Sequence, residues 1–540
     1  MRAEIDVADA PYVVLDRGPA PVQTQRRAPR IDRFDLAVLA VFGLVSLWII
    51  GLDLWRVVVE HRIWTGTDGV YIDDQMQYLA WIRDASQHVL ASNLYVLRST
   101  PHDYFQPAVL ISGGLTALGM APWLTLLLWK PVAVVTGFWA ARSFANRSLT
   151  GLWSRRAALV LSLFFGSFTV IFGSVSVLGD LFPGFLSWGY TFGLIALAAL
   201  VGGLLTYDRA LRERRISWLP GLLGATASLL HPWQGEALIA LVIMGELVVG
   251  RARPITRPRL GLAALTIGLT GAPLLYYVIL TRADVAWHLA REASKHSFPL
   301  GSIVIAIVPL LLPALLAYRH RPRTFLAAAT RAWPIAAFGV YFLSGTGAAA
   351  TPLHAFQGIT FPLSVLAIEG LQGIRRRLTP RRRLTPRARL AAVIAVTVAV
   401  VPATTYQLYF AFTLAAPTVG NANFITSGER DALSYLASDP TPGGVITRGY
   451  LGSNVPGVTG RNTLLGDCLW SEPNCIGRSV IAQELFDGTL NKRTLHHLMT
   501  GKGVRFVLAD CQTTGNLRKE LRPYLRSVRR FGCAAVYEVD

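Results

Sequence analysis

The run FDLAVLAVFGLVSLWIIGL, residues 34–52, follows Arg26, Arg27, Arg30 and Arg33 and carries one charge, Asp35, near its start. It reaches the roughly 20 apolar residues that a helix needs to cross a hydrocarbon core. It has no short apolar region closed by a small-residue cleavage site, so it reads as a retained helix and not as a signal peptide. The whole chain agrees: of 540 residues, 52% are hydrophobic and 16% charged, and the mean hydropathy is +0.42. That composition excludes a soluble enzyme of this size. A net charge of +20 would suit a nucleic-acid binder, but the surplus is almost all Arg, gathered in short clusters between apolar runs. This is the charge pattern of cytoplasmic membrane loops, and no nucleic-acid partner is expected. Lysine occurs only at Lys130, Lys295, Lys492, Lys502 and Lys519. Such a bias fits high-GC bacterial coding, and the expected location is a bacterial cytoplasmic membrane.

The Arg cluster before residue 34 puts the N-terminus inside, with residues 1–33, rich in Pro, Ala and Arg, read as a disordered cytoplasmic segment. Residues 53–122 form the first outer loop; up to residue 106 it holds seven carboxylates, Asp53, Glu60, Asp68, Asp73, Asp74, Asp84 and Asp103, against four Arg. Pro107–Gly119 is apolar but short, and reads as a juxtamembrane helix. Further spans are expected near 123–144, 157–173, 186–206, 218–231, 236–250, 260–280, 299–317, 332–346, 355–374 and 390–412. Each inner turn then carries Arg, ending with the repeat RRRLTPRRRLTPRAR at 375–389, an expected inner-leaflet anchor. Eleven spans make 34–412 a transmembrane domain and leave 413–540 outside.

The last segment has a different texture. Thr426 and Glu429 form a T-x-x-E capping box before a helix ending near Ser438. GGVITR, NTLLGD, RFVLADC and CAAVYEV read as strands, separated by helical stretches such as 476–487 and 491–500. The expected fold class is therefore an α-helical polytopic membrane protein with a C-terminal extracytoplasmic α/β domain. All four cysteines lie in that domain, which argues for disulfides, with Cys468–Cys475 and Cys511–Cys533 the preferred pairing and a metal site the alternative.

The first outer loop contains TDGVYIDDQMQYLAWIRDASQHVL, residues 67–90. Tyr78, Leu79, Ile82, Ala85 and Val89 share one helical face, which predicts an amphipathic helix lying on the membrane. Asp73 and Asp74 sit at its start. They admit two accounts: Asp74 and Gln77 as a capping box, or a carboxylate base.

This order of features, an acidic outer loop with a surface helix, then FQPAVLISGGLTALG, then a long Arg-terminated span, resembles the GT-C glycosyltransferases, in particular the aminoarabinose transferase and protein O-mannosyltransferase layout. An acidic pair with an aromatic four residues on is part of that pattern, and Asp74 with Tyr78 keeps the spacing; Gln75 stands where those families have Glu, and Asp73 supplies the second carboxylate. The resemblance implies transfer from a polyprenyl-phosphate sugar donor to an envelope glycan, glycolipid or protein acceptor on the outer face. It implies Asp74 or Asp73 as general base in an inverting displacement. It further implies a divalent metal, Mg²⁺ or Mn²⁺, in some relatives, and Asp180 in GSVSVLGDLFPGF is the matching acidic candidate, with helix capping as its alternative role.

The donor phosphate needs positive partners. The outer loop 281–298 offers His288, Arg291 and Lys295 on one face of a helix, which could equally rest on lipid headgroups. His231 in LLHPWQGE, close to Glu236, and His354 stand at outer turns, where an interfacial anchor is the competing role. Glu246 and Glu369 lie near Arg-rich inner ends, so ion pairing is their expected role. A transporter or flippase of lipid-linked sugars, or a non-catalytic scaffold, is the rival reading; the former would show internal repeats and paired midplane charges, which the sequence does not display.

Overall fold

The structure is a computed structural model that describes residues 30–166, 181–250, 256–295, 299–345, 351–378, 385–417, 420–501 and 503–540. Most of the N-terminal segment, Asp180 and the middle of the basic repeat lie outside the described residues. In lipid every backbone N–H and C=O must be bonded within its own element, so apolar runs become helices. Among the described residues, eight helices are long and apolar enough to cross a membrane: Arg33–Glu60 (α1), Pro122–Ser148, Thr191–Glu213, Pro232–Gly250, Arg257–Ala283, Leu300–Arg319, Phe325–Ser344 and Pro386–Leu414. Each overlaps a predicted span. The remaining three predicted spans fall on the helices Leu152–Phe164, Leu219–Leu230 and Thr360–Leu378, which are shorter or end in a run of Arg. The protein is a polytopic helical membrane protein.

Thr191–Glu213 packs between Trp129–Ser148 and Leu219–Leu230, Pro232–Gly250 against Phe325–Gly345, and Leu300–Leu315 against Thr360–Leu378. Small residues set these approaches: a Cβ on Gly137 would collide with Leu194, and one on Gly370 with the Pro313 carbonyl oxygen. Leu44, Leu47, Trp55 and Val58 of α1, and Leu390, Val393, Val401 and Tyr409 of the last long helix, are exposed, an apolar belt of the kind that faces lipid. At one end of the bundle Arg142 pairs with Asp35 at 2.8 Å and Arg156 with Asp32 at 2.7 Å. Glu246 pairs with Arg259 and Glu369 with Arg331, the pairing read from their positions. Several boundaries differ: α1 runs on to Glu60, past the expected end at residue 52, and the helix Phe325–Gly345 starts before residue 332 and takes in Arg331, read as part of an inner turn, because Glu369 neutralises its buried guanidinium.

At the other end the chain is interleaved. Strand β1 (Ile63–Trp64) pairs antiparallel with β2 (Phe424–Ile425). Next come α2 (Ile72–His88) and α3 (Pro107–Ala117), the second being the expected juxtamembrane helix. The C-terminal sheet contains β3 (Gly444–Ile446), β4 (Val504–Ala509), β5 (Leu525–Phe531) and β6 (Ala534–Val539) in the order β3-β4-β6-β5, with only β3 and β4 parallel. The Thr426–Glu429 capping box is formed as read. NTLLGD makes one isolated bridge, Thr463 to Val445, and no strand; LRSVRRF, not among the expected strands, is the edge strand β5, whose arginines are exposed.

Both disulfides join the expected partners, Cys468–Cys475 with Cα atoms 5.3 Å apart and Cys511–Cys533 at 4.8 Å. The second links the end of β4 to the β5–β6 turn.

Helix α2 departs from its predicted placement. Its apolar residues are not confined to one stripe, since Met76, Ala80 and Trp81 are buried along with Leu79, Ile82 and Ala85. It is therefore clamped on two sides and does not lie bare on a lipid surface: Ala85 meets Gly113 of α3, and Leu79 meets Gly457 of the helix Gly449–Thr459.

Candidate functional site

The turn into α2 is built from buried polar contacts. Gly69 takes φ +68°, and a Cβ there would stand 2.8 Å from the Leu414 carbonyl oxygen, so the turn needs glycine. Lys130, buried in what the sequence marked as a span, pairs with Asp68 and donates to the carbonyls of Ser187 (3.1 Å) and Trp188 (2.7 Å). Gln75 donates to Asp68 and to the Val70 carbonyl. The residue that stands where a second acid was expected is thus a fastener of this turn.

Asp73 and Asp74 occupy the first turn of α2, where the helix dipole favours anions. The capping box read for Asp74 and Gln77 is not formed. The helix starts earlier, at Ile72, so both carboxylates fall inside it, and its N-cap, Tyr71, makes no side-chain cap. Asp74 instead accepts a hydrogen bond from the Tyr190 hydroxyl at 3.0 Å. Asp73 is open to solvent at its surface, and partial desolvation by the protein around it pushes its carboxyl up.

A third carboxylate comes from the C-terminal domain. Asp467 is 4% exposed, and one of its oxygens has no hydrogen-bond partner. Burial first, then the charges of Asp74 and Asp73, push it well above the ordinary carboxylate range. Nothing in the sequence singled it out, since its partners lie nearly four hundred residues away; its one local signal is the adjacent Cys468.

Aromatic side chains wall the site. Tyr190 packs on Tyr71 (4.6 Å between centroids) and on His354 (5.7 Å), which in turn lies 4.9 Å from His231 and 4.5 Å from Trp233. His231 is therefore not an interfacial anchor. It is buried, with both ring nitrogens unpartnered among the described residues, because the break between Leu230 and Pro232 turns it into the bundle. Tyr78 packs on Phe192 at 4.8 Å and Trp81 at 5.5 Å. Trp81 of α2 stacks on Trp287 at 5.8 Å and meets Trp470 at 5.1 Å, so three separate segments converge on it.

Trp287 brings the helix Val285–Ala293 to the site, as its sequence predicted a helix there, but that helix ends before Lys295. The expected face of His288, Arg291 and Lys295 is therefore broken: His288 is exposed, and Lys295 is tied to Glu292 at 2.6 Å. Asp467 and Asp73 offer the oxygen donors that Mg²⁺ or Mn²⁺ takes, and the unpartnered Asp467 oxygen fits such an ion, which commonly needs one or two carboxylates beside water and phosphate.

The arrangement is a helical bundle, an acid pair heading α2, and a C-terminal α/β domain whose Asp467 and Trp470 reach that helix. Solved structures agree. The oligosaccharyltransferase AglB of Archaeoglobus fulgidus, in complex with an inhibitory peptide and a dolichol-phosphate, superposes with a TM-score of 0.56 at 13% identity, covering 94% of this chain and 74% of that one. The same enzyme tethered with an acceptor peptide gives 0.56 at 13% identity, with 92% and 72% covered. The mycobacterial arabinofuranosyltransferase AftD gives 0.56 at 16% identity, covering 95% of this chain and 42% of that one, so this chain spans less than half of AftD. Both are GT-C glycosyltransferases, the fold expected from the layout. No family model matches the sequence, and no curated protein matches it.

Proposed function

We propose that the protein is a glycosyltransferase that moves a sugar from a polyprenyl-phosphate donor to a hydroxyl of a glycan, glycolipid or protein acceptor at the outer face of a bacterial cytoplasmic membrane. The observation that carries this reading is the position of Asp74. It heads a clamped helix, is held by Tyr190, and lies near enough to Asp467 of the C-terminal domain for the two charges to interact, in a fold shared with GT-C enzymes. Asp74 takes the acceptor proton as the acceptor oxygen attacks the anomeric carbon. The bond from that carbon to the donor phosphate breaks, the lipid phosphate leaves, and the configuration inverts. Asp73 lies beside it as the alternative base. Asp467 and Asp73 are the candidate ligands among the described residues for a divalent ion, which would supply charge to neutralise the departing phosphate, and Asp180 is the further candidate from the sequence. Arg291, His288 and His231 are the groups offered to the donor phosphate, Lys295 being engaged by Glu292.

Purified protein in lipid, supplied with polyprenyl-phosphate sugars, tests this. Asp74→Asn is expected to lower the transfer rate by about 10²–10⁴ with folding intact. Full activity in Asp73→Asn, Asp74→Asn and the double variant would remove the pair from the chemistry. The transporter reading has less support, because the ion pairs formed by Glu246 and Glu369 lie at the Arg-rich helix ends and not in a midplane pathway.

A further inference from the structure

At the far end of α2, about 15 Å along the helix from Asp74, Asp84, His88 and His102 converge. Asp84 is 3% exposed, and its carboxylate meets His88 Nδ1 at 2.8 Å and His102 Nδ1 at 3.1 Å. The two imidazoles lie nearly face to face, 3.9 Å between centroids and 30° between planes. Among the described residues, this is the set of three metal-ligating side chains whose ligand atoms all lie within 4.8 Å of one another.

We propose that Asp84, His88 and His102 form a binding site for a divalent transition ion, zinc by preference, that locks the loop 89–104 to α2. Ligands around tetrahedral zinc, with bonds of about 2.0–2.1 Å, stand roughly 3.3 Å from one another, close to the two spacings found here. Asp84 and His88 are four residues apart on one helical face, the i, i+4 arrangement that presents two ligands to one ion. Two imidazoles with one carboxylate select zinc or a neighbouring transition metal over Mg²⁺ and Ca²⁺. The carboxylate is already oriented: its second oxygen accepts from Ser92 N at 2.6 Å and Ser92 Oγ at 2.8 Å, the outer bonds that fix a ligand in place. Without an ion, that oxygen is asked to accept three donors at once. Water fills the fourth position, since both imidazoles are partly exposed.

The locked loop carries function-bearing contacts. Asn93 donates to the Trp470 carbonyl at 2.8 Å, and Tyr104 packs on Trp81 and Trp287. The ion thus sits apart from the acid pair and acts on the wall of the cleft.

The test uses full-length protein purified through a tag without histidine and exposed to zinc, then freed of loose metal. Wild type is expected to retain one zinc per chain, His88→Gln/His102→Gln to lose it, and His497→Gln, an exposed histidine elsewhere, to keep it. Cobalt is expected to give the intense visible bands of a four-coordinate site in wild type and in Asp73→Asn/Asp74→Asn, but not in the His88/His102 double variant. Zinc should raise the melting temperature of wild type and of His497→Gln, and not that of the His88/His102 double variant. No zinc in wild type, or equal zinc in the His88/His102 variant, overturns the proposal. Should that variant fail to fold, a wild-type cobalt spectrum without four-coordinate bands overturns it as well.

Discussion

Tyr190 donates to the carboxylate of Asp74, a charge-assisted hydrogen bond that fixes where that acid points. Tyr190→Phe removes that support. Its expected effect is a loss of about tenfold in transfer rate, the scale of one hydrogen bond to a charged group, with KM near the wild-type value. An unchanged rate would separate Tyr190 from the base. Asp467 gives a second residue-level test with its own sign. Its folded pKa is raised, so the folded state binds its proton more tightly than the unfolded state, and stability falls as pH climbs from about 4 toward the folded value. Asp467→Asn is therefore expected to match wild type in Tm near pH 4 and to exceed it at pH 7–8, while transfer drops. Of these residues the sequence made Asp73 and Asp74 legible, since an acid pair on a helix start is a local pattern. Tyr190 and Asp467 were not, because they enter the site from other elements and carry no mark of their own.

Among elements, the loop between Cys468 and Cys475 holds Trp470 against Trp81 and follows directly on Asp467. Cys511–Cys533 braces the sheet away from that loop. Replacing each pair by Ser should separate the two roles. Loss of Cys468–Cys475 is expected to lower transfer by more than it lowers Tm. Loss of Cys511–Cys533 costs about 2–4 kcal/mol of stability and leaves kcat near wild type in protein that remains folded. Lys130→Met leaves Asp68 buried without its cation, and is expected to destabilise the turn by about 3–5 kcal/mol, read as a lowered Tm. Apart from Gly449–Thr459, whose glycines and proline mask it, the main helices and three of the four strands of the C-terminal sheet were legible because hydropathy and capping are short-range signals. The edge strand β5 was not, since its exposed arginines hide the alternation, and α2 was misplaced because a helix clamped on two sides has no bare polar face.

For the whole molecule, the ion pairs Asp35–Arg142 and Asp32–Arg156 gather the start of α1 and the ends of its neighbours at one pole, while Asp74, Asp467 and the aromatic wall occupy the other. With the Arg-rich pole inside, a reporter active only outside the cytoplasm should give signal when fused after residue 413 and none after residue 215. The opposite pattern would invert the protein and move the cleft to the wrong face for the proposed reaction. The alternation of Arg clusters made this arrangement readable along the chain; the interleaving of the first outer loop with the last segment was not, because pairing across such a separation leaves no periodic trace.

The ladder between Trp64 and Phe424 spans about 360 residues of sequence. A ribosome adding about 5–20 residues per second needs roughly 20–70 s to make that stretch. Throughout that interval the N-terminal strand of the ladder has nothing to pair with. Completion of this end of the molecule is therefore a late event in biogenesis, following synthesis of the last long helix, and a nascent chain that stalls before residue 424 presents an open strand and an α2 clamped by α3 alone. Those surfaces are what a membrane quality-control protease would read as unfinished, so premature termination should yield rapid degradation and not a stable truncated protein.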